Sequence, residues 1–169
     1  MLFIRHCQSS HLLSLLFLYL HTTINLLVLQ AGSQHISESR LVCIITDKPD
    51  LIITDCETQK DMKRLAGARS ICLDAYGTDL AGKKYDLEVQ RQDKGADPHR
   101  ARYHSSVMDI ENLHSSQEFK ELPDTYTIFI LEKDFYGEGE AIYPIERINL
   151  ATGKSFEGWE HILYVNQCH

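Results

Sequence analysis

The chain has 169 residues, of which 43% are hydrophobic and 24% charged, a composition ordinary for one globular domain with a real core. Five scattered cysteines, odd in number and without a CxxC pair, argue against a zinc ribbon or a secreted disulfide framework and fit a reducing cytoplasm. The net charge of −7 has the wrong sign for an obvious nucleic-acid binder, so any such role must rest on how the charge is distributed.

The N-terminal segment carries no Asp, Glu, Lys or Arg between Arg5 and Glu38, and Leu12 to Leu29 is mostly apolar. That length could span a bilayer, and LQAGSQ could pass for a weak signal-peptidase site. His21, Thr22, Thr23 and Asn25 interrupt the run. Three readings of residues 1–35 stay open: an extension or packed helix, a membrane segment, and a signal peptide. The membrane reading alone would make this a small membrane-associated protein. Residues 36–169 form the expected main domain.

Ile36 to Asp47 suits a short helix capped by Ser37, although its β-branched residues weaken that preference. Leu51 to Cys56 reads as a first strand. Glu57 to Gly67 either continues that strand or makes a helical turn. Ile71 to Tyr76 and Lys84 to Arg91 read as two paired strands joined by a polar turn from Gly77 to Lys83. Alternation along the second strand puts Lys84, Asp86, Glu88 and Gln90 on one face, and Tyr85, Leu87 and Val89 on the other. If the strands pair, Asp74 can lie close to Glu88. Two carboxylates from adjacent strands can hold a hard cation such as magnesium. The plainer reading is that Asp74 ends a strand and Glu88 faces water.

From Lys83 to Arg102 six basic residues (Lys83, Lys84, Arg91, Lys94, Arg100, Arg102) face four acids (Asp86, Glu88, Asp93, Asp97). From Glu111 to Glu140 eight acids face two lysines. Basic residues therefore gather around the Asp74–Glu88 pair, as they also would on a merely solvated face. Asp97-Pro98 starts a helix that should run to about Leu113, with Tyr103, Val107, Ile110 and Leu113 as its buried stripe. Tyr126 to Leu131, a continuous apolar run, reads as a strand buried on both faces. Ala141 to Ile145, Ile148 to Leu150 and His161 to Val165 follow as short strands. Trp159 and His161 read as packing or edge residues. The element order gives an α/β fold with a mixed central sheet flanked by helices.

The run LDAYGTDLAGKKYDLEVQ, followed by RARYHSSVMD and ELPDTYTIFI, resembles the PD-(D/E)XK nuclease family transposases, the recombination-promoting nuclease group. The resemblance covers roughly Cys43 to Asn166. It implies a restriction-endonuclease-like αβββαβ core and a metal-dependent DNA endonuclease that hydrolyses phosphodiester bonds. By this resemblance Asp74 and Glu88 are the motif acids, and Gln90 stands where the nuclease motif usually has lysine. Magnesium, with manganese as a substitute, would sit on Asp74, Glu88 and the main-chain carbonyl of Val89. The RARY block would lie near these strands, with Arg102, and less strongly Arg100 and Arg91, reaching DNA phosphates. The implied partners are DNA and a second copy of the chain, in a homodimer, inside the cytoplasm. Family members continue into a further helical region, so residues 36–169 read as truncated at the C-terminus. A nuclease-fold remnant that binds DNA or protein without cutting is the alternative.

Overall fold

A computed structural model describes residues 41–62, 70–90 and 96–166. The chain divides into two compact units, Met1–Leu51 and Ile52–His169. The apolar Leu12–Leu29 run, the Ser37 cap, the 35/36 boundary and Arg91 lie outside the described residues. In the first unit residues 41–46 are helical (α1), with Leu41, Val42 and Ile45 buried. The helix ends at Asp47, whose backbone is left-handed (φ 54°), while the Lys48 N–H returns to the Cys43 carbonyl at 2.9 Å.

The second unit is built on a six-stranded mixed sheet. Its strands are β1 (Ile53–Met62), β2 (Ile71–Asp79), β3 (Lys84–Gln90), β4 (Thr125–Leu131), β5 (Ile142–Ile145) and β8 (Glu160–Asn166), ordered β1-β2-β3-β4-β8-β5. β3, β4 and β8 are mutually parallel, whereas β1, β2 and β5 run antiparallel to their neighbours. β6 (Ile148–Asn149) and β7 (Lys154–Ser155) form a separate two-stranded ribbon. Helix α2 (Pro98–Asn112) carries the chain from β3 across to β4, as parallel neighbours require. This is the expected α/β arrangement of a restriction-endonuclease-like core. Among the described residues no helix is long and apolar enough to cross a membrane.

All seven residues of β4 are buried, which is why its sequence is a continuous apolar run. Phe129 and Leu131 pack with Ala96, Ala101 and Tyr164 in one core cluster. Met62, Leu73, Tyr76, Val107 and Met108 make another between α2 and the β1–β2 side. Each large apolar side chain so buried contributes about 1.5–3 kcal/mol.

Of the two alternatives for the segment after Cys56, continuation of the strand holds as far as Met62, because β1 is an edge strand whose polar residues can pair with β2 while facing solvent. Two local expectations need correcting. Gly77 and Thr78 belong to β2 and not to the turn; a Cβ on Gly77 would come within 3.0 Å of Ile53 Cγ2, so glycine there permits close packing of β1 on β2. The reversal is made instead by Asp79, whose Oδ1 accepts the Ala81 and Lys83 N–H groups at 2.9 Å each, and by Gly82 at φ 83°.

The second correction concerns α2. Its start is as expected, with Asp97 accepting the His99 N–H at 2.7 Å and Pro98 in the first turn. Its buried residues, however, are Ala101, His104, Ser105, Val107 and Met108, and Ile110 is 62% exposed. The inward face is partly polar because it covers a polar part of the sheet.

Candidate active site

That polar part is β3. Asp86 and Glu88 are both 0% exposed. The face of β3 that could have met water is therefore covered by α2, through His104 and Arg100.

Asp74 and Glu88 come together where regular pairing stops. The β2–β3 ladder runs from Thr78–Lys84 to Ala75–Leu87. Beyond it, side chains take over the main-chain groups. The Asp74 N–H donates to Glu88 Oε1 at 3.1 Å, and the Val89 N–H donates to Asp74 Oδ2 at 3.0 Å. On the other side, pairing passes from Thr58–Ala75 to Lys60–Leu73 and leaves Gln59 opposite Asp74 with a left-handed backbone, φ 53°. Such conformations in a non-glycine residue are costly and concentrate at functional sites. The Gln59 side-chain amide lies 3.5 Å from Asp74 Oδ1. Gln90 is half-buried, with its Nε2 3.5 Å from Glu88 Oε2.

Two residues that the sequence reading did not single out complete the cluster. His104, 1% exposed, has Nδ1 2.9 Å from Asp86 Oδ2 and 3.8 Å from Glu88 Oε1. Its Nε2 accepts from Arg100 Nε at 3.1 Å, while Arg100 Nη2 donates to Glu88 Oε2 at 2.8 Å. Arg100 thus belongs to the carboxylate cluster, whereas Arg102 is exposed two residues on. Spacing carries only part of the signal for both additions, because it does not show that the strand and the helix meet. Asp86 lies two residues before Glu88 on a strand, and His104 lies four after Arg100 on a helix.

The electrostatics follow from burial. Glu88 is pushed up to about 7, first by burial and then by the Asp86 charge, with His104 and the Asp74 N–H pulling the other way. Burial, followed by Asp74, also raises Asp86 well above the usual carboxylate range. The His104 ring is lowered, chiefly by burial.

Asp86, Glu88 and His104 each offer a ligand atom within 4.8 Å of the others, a group that could hold a metal ion. Asp86 Oδ1 is buried without a hydrogen-bond partner. Three carboxylates, Asp74, Asp86 and Glu88, cluster here, and the Arg100 guanidinium pairs with Glu88. This surplus of oxygen donors and negative charge fits a hard divalent cation. Beside the cluster lies an open groove of about 580 Å³ lined by Ser70, Ile71, Cys72, His99, Arg100, Arg102, Tyr103 and His104. Among the described residues its lining contains arginines and histidines and no carboxylate, which suits a polyanion.

No curated protein and no solved structure matches the chain. The family model described as PD-(D/E)XK nuclease family transposase matches residues 34–167, a span that includes every strand and site residue named above. The chain therefore belongs to the PD-(D/E)XK nuclease family transposases.

Proposed function

We propose that this chain is a divalent-metal-dependent DNA endonuclease that hydrolyses phosphodiester bonds with little sequence preference. The activity would be of the recombination-promoting, transposase-associated kind. The observation that carries this reading is the meeting of Asp74 and Glu88 where the ladders on both sides of Asp74 are interrupted. Family membership supports a nuclease-type activity.

Asp74 and Glu88, with the main-chain carbonyl of Val89, would hold magnesium, or manganese in its place. When bound, the ion supplies Lewis acidity at the scissile phosphate and makes water easier to deprotonate. The chain's own residues do the positioning. Gln90 can both donate and accept hydrogen bonds, so it can orient water or a phosphate oxygen. An amide has no titratable proton near neutral pH and cannot serve as a general base. Arg100 offsets part of the buried charge on Glu88. Arg102 lines the groove and would contact a backbone phosphate, with Arg91 as a weaker candidate. Such contacts position DNA without reading its sequence. The reading puts the protein in the cytoplasm, and cutting both strands would take a second copy in a homodimer.

A second reading, a nuclease fold that binds DNA or protein without cutting, draws on Gln90 standing where such motifs usually carry lysine. The two separate on supercoiled plasmid incubated with magnesium, manganese or EDTA, using wild type, Asp74→Ala and Glu88→Ala. The expected result is metal-dependent nicking by the wild type that falls to the EDTA background in both variants. Activity surviving both substitutions would overturn the site. Folded wild type that binds plasmid without nicking it would favour the second reading.

A further inference from the structure

We infer that Asp86 and His104 are a buried positioning pair that fixes Arg100 against Glu88. The consequence for cleavage rests on the nuclease reading above, while the geometry does not. A guanidinium has donors and no acceptor, so its Nε–H bond to His104 Nε2, 3.1 Å long, requires a lone pair on that nitrogen. The ring proton must then sit on Nδ1. That N–H points at Asp86 Oδ2, 2.9 Å away, and a carboxylate partner is what fixes such a tautomer. From Arg100 the chain of bonds continues through Nη2 to Glu88 Oε2 at 2.8 Å. β3 thus supplies both ends of the relay, Asp86 and Glu88, and α2 supplies the middle, His104 and Arg100.

This assignment separates two roles within the carboxylate cluster. A ring nitrogen that carries a proton is not a metal ligand, so His104 Nδ1 cannot coordinate an ion while Arg100 occupies Nε2. Glu88 then works with Asp74, and Asp86 works through His104. The pair also answers a physical problem. The Arg100 side chain is 38% exposed and lines the groove, so its guanidinium has to be oriented. Tied at Nε by a fully buried ring, it can present Nη2 to Glu88 in one geometry.

The test uses the full-length, metal-free chain. Nitrogen-15 NMR of the histidine rings, with His104 assigned by its loss in His104→Gln, should find the proton on Nδ1 and none on Nε2. Asp86→Asn can offer its own amide N–H to Nδ1 and drive the proton to Nε2, donor against donor with Arg100. It should shift the Arg100 Nε–H resonance, weaken manganese binding about 10–100-fold by calorimetry and slow nicking by a similar factor. In an Arg100→Ala background the same substitution should cost less than in the wild type, because the part that runs through Arg100 is already gone and only the lost Asp86 charge beside Glu88 remains. His104→Gln, whose carbonyl can still accept from Arg100, should keep more activity than His104→Leu. A wild-type ring protonated on Nε2, or on both nitrogens, overturns the pair. So does an Asp86→Asn loss that adds in full to that of Arg100→Ala. If the wild type does not nick DNA, the nuclease reading fails, while the tautomer and the Arg100 resonance still decide the pair.

Discussion

The two ends of the parallel strands make an instructive contrast. At the β3 end that carries Glu88 and Gln90, the cluster is closed, polar and crowded, and it opens on a groove lined with arginine and histidine. At the opposite end, where Thr125 pairs with Glu160, a cavity of about 440 Å³ is framed by Phe119, Phe156 and Trp159. Its charged lining is Asp109, Glu146, Glu157 and Glu160 against Lys120 and Arg147, an excess of carboxylates that repels phosphate. Exposed aromatic surface lies at one end, and buried, mutually dependent charge lies at the other. The proposed chemistry on a polyanion belongs with the second. Free energy stored in desolvated carboxylates is released when a cation arrives, whereas an acidic aromatic hollow stores none for that purpose.

The largest expected difference between the ends is in stability against pH. Glu88 stands at about 7 in the folded chain against an ordinary value of 4.5, so between those values the folded state binds the extra proton. Its stabilising contribution is complete below pH 4.5 and is lost as pH rises through 7, a loss of about 3 kcal/mol. His104, lowered by burial, acts in the opposite sense and adds stability as pH rises toward 6.5. Comparing wild type with Glu88→Gln by urea unfolding largely cancels the histidine. In EDTA the difference between the two should change by about 3 kcal/mol from pH 4.5 to pH 8, and magnesium should restore wild-type stability at the upper end. A wild-type profile parallel to that of Glu88→Gln would mean that the carboxylate cluster is not under strain, and the contrast would lose its basis.

What was legible in the sequence follows the same division. β4 could be read because burial on both faces leaves a continuous apolar run, and the start of α2 because Asp97-Pro98 is local capping chemistry. The approach of Asp74 to Glu88 followed from alternation on two strands of one hairpin. The face of α2 could not be read from periodicity. Its inward positions include His104 and Ser105, which meet Asp86 and Thr127; of the expected stripe Val107 is buried and Tyr103 packs on the same core, whereas Ile110 is exposed. Asp86 and His104 were hidden for the same reason. They are 18 residues apart, and only the crossover of α2 onto β3 turns a polar strand face into an interior one. Gln59 was hidden because a left-handed residue inside an edge strand leaves no signature in residue type.

A smaller effect separates the arginines. Arg102 is exposed on the groove, whereas Arg147 pairs with Glu160 at 2.6 Å beside the opposite cavity. If DNA runs along the groove, Arg102→Ala should weaken plasmid binding uniformly across sequences. It should also lower the slope of log affinity against log salt by about 0.9, the value for one phosphate contact. Arg147→Ala should change neither. Equal changes in both variants would mean that DNA spans both ends of the strands.

The smallest effect tests the aromatic end directly. Trp159 is 61% exposed, and its backbone lies in the left-handed region at φ 55°, while its carbonyl accepts the Thr125 N–H at 3.1 Å where β4 and β8 begin. The main chain at this position therefore carries the structure and the indole adds little. Trp159→Ala keeps the same backbone requirement, so stability should stay within about 0.5 kcal/mol and nicking should be unaltered. Trp159→Gly removes the clash that a side chain meets in that conformation, and should be more stable than Trp159→Ala by about 1 kcal/mol. Both are read by urea unfolding and by the plasmid assay. A tenfold loss of nicking in Trp159→Ala at unchanged stability would bring the indole into the DNA path, and the acidic end could no longer be set apart from the catalytic one.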